Sequence, residues 1–122
     1  MSKILVVDDS ETLRSQIKEI LEEAQFEVLE AQNGLDGLEV IGEHSDLALI
    51  LCDVNMPEMD GLTMCEQIEE RGLGNVPPIF MLTTESSKEM KSRGKAAGVM
   101  AWVTKPFVAE KLIKAVNKVL GL

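Results

Sequence analysis

Five short apolar runs alternate with five segments of helical periodicity along 122 residues, and few folds accommodate that rhythm. The runs are about Lys3 to Asp8, Glu27 to Ala31, Leu47 to Cys52, Ile79 to Thr83 and Val99 to Thr104. Several are apolar without alternation, which marks strands buried on both faces of a parallel sheet. Between them, apolar residues recur at helical spacing: Leu13, Ile17, Ile20, Leu21 and Ala24, then Leu35, Leu38 and Ile41, then Leu62, Cys65 and Ile68. A fourth helix covers about Ser87 to Ala97, weakened by Gly94 in its interior. The fifth runs from about Val108 to Leu120 with Ala109, Leu112, Val116 and Leu120 inward. Asn33-Gly34 is a turn signal, Pro57 and Gly61 fix a loop, and the third helix stops at Arg71-Gly72. Pro77-Pro78 forbids helix and leads into the fourth strand.

Five βα units imply an α/β three-layer sandwich, a parallel sheet with helices on both faces and right-handed crossovers. The second strand is short and less apolar, which suits an edge. The order 2-1-3-4-5 satisfies that and makes the first and third strands neighbours. The length fits one domain, residues 1–122, with no output domain expected.

That order brings Asp8 and Asp9, where the first strand runs out, beside Asp53, where the third does. Ligand sites of open α/β sheets lie beyond the carboxyl ends of the strands. Three carboxylates gathered there repel one another unless a cation joins them. Oxygen-only donors suit Mg²⁺, which keeps waters and favours phosphate oxygens as further ligands. One carboxylate, Asp53, can then attack phosphorus and form an acyl phosphate. Thr83 ends the fourth strand and Lys105 follows the fifth, so a hydroxyl donor and an ammonium reach the same mouth.

The four signals are Asp8-Asp9, Asp53 within Cys52-Asp53-Val54-Asn55-Met56-Pro57-Glu58-Met59-Asp60-Gly61, Thr83, and Lys105-Pro106-Phe107. Each falls at a strand end, and together they resemble the receiver domain of two-component response regulators over essentially the whole chain. The resemblance implies a flavodoxin-like (βα)5 fold. It implies Asp53 as phosphoacceptor, Asp8, Asp9, Asp53 and the Asn55 backbone carbonyl as Mg²⁺ ligands, Thr83 as switch hydroxyl, and Lys105 as phosphoryl-binding cation. It also implies a cis bond before Pro106. Within the family the chain is most similar to stand-alone chemotaxis receivers, with which it shares Asn55 and Glu85 two residues beyond Asp53 and Thr83. The implied partners are a histidine kinase, the flagellar motor switch or another phosphorylation-dependent target, and a phosphatase. The implied setting is the cytoplasm, as a monomer. Such receivers catalyse their own phosphorylation and dephosphorylation without being enzymes in the usual sense. One departure stands out: the switch aromatic three residues before the lysine, usually Tyr or Phe, is Trp102.

Taken singly, these residues have plainer readings. An acid pair can favour a helix N-terminus, Asp53 can start a turn, and Lys105 can be a solvated surface lysine. The joint pattern displaces them. Three other functions compete with a chemotaxis switch. A receiver in another phosphorelay differs only in its output. An aspartate-nucleophile hydrolase needs a general acid where this chain has Asn55. A flavodoxin needs a phosphate-cradling loop after the first strand, where Asp8-Asp9 repels phosphate, and stacking aromatics, which make up only 3% of the chain.

A net charge of −9 disfavours nucleic acid and anionic lipid, and no apolar run is long enough to span a membrane. Charge is uneven. Between Glu85 and Lys105, five basic residues (Lys88, Lys91, Arg93, Lys95, Lys105) against two acidic ones (Glu85, Glu89) give +3, leaving −12 elsewhere. Lys88, Lys91 and Lys95 around Trp102 suggest a docking face for an acidic, amphipathic segment. Cys52 and Cys65 read as small buried hydrophobes, and the lone His44 as a surface residue. Met56, Met59, Met64, Met81, Met90 and Met100 read as core and gap filling.

Overall fold

The computed structural model describes residues 1–72, 76–84 and 87–122. Glu85, one of the expected pair with Asn55, lies outside the described residues. The chain alternates β1 (Lys3–Val7), α1 (Glu11–Glu23), β2 (Glu27–Ala31), α2 (Gly34–Glu43), β3 (Leu47–Asp53), α3 (Gly61–Arg71), β4 (Ile79–Thr83), α4 (Lys88–Ala96), β5 (Val99–Thr104) and α5 (Ala109–Leu120). All strand pairs are parallel and the order is β2-β1-β3-β4-β5. The expected fold class and strand order are therefore both observed, with β2 and β5 at the edges.

The strands form because successive side chains feed two cores, one on each face. Leu5, Val7, Ile50, Cys52, Ile79 and Met81 join Leu38, Ile41, Leu62, Met64, Cys65 and Ile68 of α2 and α3 on one face. Ile4, Val6, Leu49, Leu51, Phe80 and Leu82 meet Ile17 and Leu21 of α1 and Leu112 and Val116 of α5 on the other. Four helices start at polar caps: the side chains of Ser10, Asn33, Asp60 and Ser87 accept from the backbone N–H three residues on. Gly72 closes α3 in the left-handed region at φ 56°, where the sequence places the stop.

Some local expectations are corrected. β1 ends at Val7 rather than Asp8, and β3 continues through Asp53. Leu35 and Ala109, expected inward, are exposed, and so is Met100. Leu35 and Ala109 both lie in first helical turns. Periodicity gives the face of a helix but not the point at which its partner ends. Met100 is skipped where the register of edge strand β5 against β4 shifts between Ile79 and Phe80, and it stays exposed.

Candidate functional site

The carboxyl ends of β1, β3 and β4 and the segment after β5 converge at one edge of the sheet. One carboxylate oxygen from each of Asp8, Asp9 and Asp53 lies within 4.8 Å of the others. Asp8 and Asp53 are buried and Asp9 is exposed, so the group opens to solvent on the Asp9 side. Three hard oxygen donors at this spacing fit a small divalent cation such as Mg²⁺, with vacant positions for water or phosphate oxygen. The Lys105 ammonium sits 3.3 Å from Asp8 Oδ2 and 3.2 Å from Asp53 Oδ1, bridging the two buried acids. One cation against three carboxylates leaves the cluster short of positive charge.

The backbone holds this group firmly. Asp8 Oδ1 accepts from the Ser10 N–H at 2.9 Å, and Ser10 itself caps α1. The Asp8 N–H donates to the Ala31 carbonyl at 3.1 Å, tying the end of β1 to β2. In the loop after Asp53, the Val54 N–H reaches the Leu82 carbonyl at 3.4 Å and the Gly61 N–H returns to Val54 at 2.9 Å. A side chain at Gly61 would collide with the Asp53 carbonyl, so this close return requires glycine. Thr83 is buried at the end of β4, and its carbonyl accepts the Lys105 N–H at 2.8 Å. The backbone thus joins the hydroxyl-bearing and ammonium-bearing residues directly. The Lys105–Pro106 bond is cis, as expected.

Burial is the main cause that raises the Asp53 carboxyl above its ordinary range, and the Asp8 charge adds to it. Lys105 and the Asn55 backbone N–H act in the opposite direction. The thiols stay out of the chemistry. Burial pushes Cys52 far up and Cys65 up to about 12, so neither forms a thiolate near neutral pH.

Sequence reasoning missed Arg14. From α1 its guanidinium donates to the Asp8 carbonyl at 2.6 Å and to Glu30 of β2 at 3.3 Å, clamping the end of β1 from behind. The available signal was an arginine six residues after Asp8 on the helix that packs there. Trp102 and the lysines lie apart from the carboxylates. Trp102 is half-buried on β5 opposite Met81, packed with Met90 and Val99 against the core. Lys88, Lys91 and Lys95 are exposed on α4, and none makes an ion pair among the described residues. Arg93 does: it is bound to Glu66 of α3 at 2.8 Å and to the Thr63 hydroxyl at 3.3 Å.

A parallel sheet of this order, with acids after β1 and at the end of β3 and a lysine after β5, is the frame of a signalling receiver domain. The family profile of the response regulator receiver domain matches residues 4–117, and the chain belongs to that family. It is 38% identical over 120 residues to the chemotaxis protein CheY1 of Helicobacter pylori, covering 98% of this chain and 97% of that one. It is 37% identical to the chemotaxis protein CheY of Bacillus subtilis, covering 98% of each. Among solved structures, the chemotaxis protein CheY4 of Vibrio cholerae superposes with a TM-score of 0.90 at 38% identity, covering 98% of each chain. No described helix is long and apolar enough to cross a membrane.

Proposed function

We propose that this receiver is a phosphorylation-activated switch in chemotaxis, with Asp53 as the phosphoacceptor. The observation that carries the reading is the placement of Asp53, buried at the end of β3, within 4.8 Å of two further carboxylates and 3.2 Å from Lys105. A carboxylate oxygen of Asp53 attacks the phosphorus of a phosphohistidine on a histidine kinase. The phosphorus–nitrogen bond breaks as the phosphorus–oxygen bond forms, and the imidazole leaves. Mg²⁺ held by Asp8, Asp9, Asp53 and the Asn55 carbonyl would supply charge neutralisation for the transferring group. Lys105 offsets the negative charge left on the phosphoryl oxygens, and the Thr83 hydroxyl donates to one of them.

The output follows from the same connections. Lys105 and Thr83 share a backbone hydrogen bond, and Thr83 pairs with Thr104 across β4 and β5. A shift at either residue is felt on β5, two residues from Trp102. The face formed by α4, β5 and α5 then changes its affinity for a target, in our reading a motor-switch component bearing an acidic amphipathic segment. Lys88, Lys91 and Lys95 would meet the acidic residues and Trp102 the apolar ones. In this reading the chain acts as a single cytoplasmic receiver domain and a monomer, with a phosphatase resetting it.

The test is mass spectrometry after incubation with a small phosphodonor and Mg²⁺. One phosphoryl group on the wild type and none on Asp53→Asn is the expected result. Full phosphorylation of the variant refutes the assignment.

A further inference from the structure

Gly94, in the last turn of α4 (Lys88–Ala96), disfavours the helix and is not explained as its cap, which is Ala97, or by a positive φ. It is also the helix's one buried residue. A β-carbon built at Gly94 would lie 2.6 Å from Cζ2 of Trp102, 3.3 Å from Cγ2 of Val99 and 3.4 Å from Cδ2 of Leu62. The first distance is well inside van der Waals contact; the other two are tight but tolerable. The benzo edge of the indole therefore occupies the space where any other residue would place its β-carbon. An indole ring is rigid, so relief comes from swinging the whole ring rather than from bending its tip.

The attachment of α4 sharpens the consequence. The segment Lys88-Glu89-Met90-Lys91-Ser92-Arg93-Gly94-Lys95-Ala96 has little apolar surface to bury. Among the described residues, its contacts with the body include Gly94 over the indole, half-buried Met90, and the Arg93 bonds to Glu66 and Thr63. The docking of α4 and the position of the indole are thus linked through the contact at Gly94.

We propose that Gly94 is a positioning residue that seats Trp102 beneath α4 and so sets how much of the indole a docking partner meets. The larger aromatic at this position of β5 is accommodated by removing a β-carbon from the helix above it. The regulatory half of this inference rests on the proposed switch; the seat itself does not.

The test uses Gly94→Ala, Trp102→Phe and the double variant, first without metal or phosphodonor. Trp102 is the only tryptophan, so its emission reports the seat alone. In Gly94→Ala the emission should move to longer wavelength and acrylamide quenching should rise. Alanine favours a helix interior over glycine, so in the Trp102→Phe background it should raise Tm by roughly 2–5 °C. In the wild-type background that gain should vanish or reverse. If Gly94→Ala loosens the fold, the double variant should recover it. Unchanged emission, or the same Tm gain in both backgrounds, overturns the seat. Beryllium fluoride with Mg²⁺ then tests the regulation: the indole of wild type should become more quenchable, and that of Gly94→Ala should change less. Equal responses, or no response in wild-type protein whose Asp53 is shown by mass spectrometry to accept a phosphoryl group, overturn the gating while leaving phosphoryl acceptance intact.

Discussion

Replacing Asp53 with asparagine should stabilise the metal-free protein near neutral pH, even though it removes a buried ion pair. Asp8, Asp9 and Asp53 present oxygens within 4.8 Å of one another, while Lys105 is 3.2 Å from Asp53 and 3.3 Å from Asp8. At an effective dielectric constant of about 20, each carboxylate pair at this spacing costs about 3–4 kcal/mol and the contact with Lys105 returns about 5 kcal/mol. Asp53 takes part in two repulsions and one attraction, and solvent screens the repulsion from exposed Asp9. Asparagine is also cheaper to bury than a carboxylate, and Lys105 keeps Asp8 as its partner. The net gain should be about 1–2 kcal/mol, a rise in Tm of about 3–8 °C for a chain of this length.

The pH dependence gives the prediction its sign. The Asp53 carboxyl is held above its ordinary value of 3.8, first by burial and then by Asp8. The native state therefore keeps this proton at pH values where the unfolded chain has released it. Stability linked to Asp53 is complete below 3.8 and is lost as pH rises through the native value. The asparagine variant has no such loss, so the gap between the two proteins should open upward from about pH 4 and then level off. Thermal melts of both proteins in EDTA from pH 4 to pH 8 measure it. Mg²⁺ should then reverse the order, because saturation at about 100 times Kd adds about 2.7 kcal/mol to whichever protein retains the complete ligand set. An asparagine variant less stable than wild type in EDTA at pH 7, or a gap independent of pH, would refute the picture of a repulsive cluster awaiting a cation.

The remaining predictions use the same assays. Asp9→Ala should remove the Mg²⁺-dependent rise in Tm, since its carboxylate forms the solvent side of the cluster; an undiminished rise would place the metal elsewhere. Lys105→Ala should still accept a phosphoryl group at Asp53 by mass spectrometry, yet Trp102 emission should no longer respond to beryllium fluoride. It should also melt lower than wild type in EDTA, because Asp8 and Asp53 lose their shared counter-ion; a normal emission response would remove Lys105 from the relay.

The strand order was legible because strand burial and the mutual need of Asp8, Asp9 and Asp53 point to the same neighbour relation between β1 and β3. Thr83 and Lys105 were legible because each sits where a strand stops. What escaped were contacts made by parts of residues that patterns do not record. The Arg14 clamp depends on the reach of one guanidinium from α1 to a backbone carbonyl, and no periodicity encodes that reach. Ala109 shares a helical face with buried Leu112, yet it is exposed in an open groove lined by Leu13 and Ile20 of α1 and by Phe107. Gly94 is the sharpest case. As a residue in a sequence it weakens a helix. Its other role appears only when Trp102, eight residues later on a neighbouring strand, is seen to fill the volume that its missing side chain leaves. A helix-weakening glycine opposite an oversized aromatic is thus a paired feature whose halves each look unfavourable alone, and the pairing lies on the face we propose as the output surface.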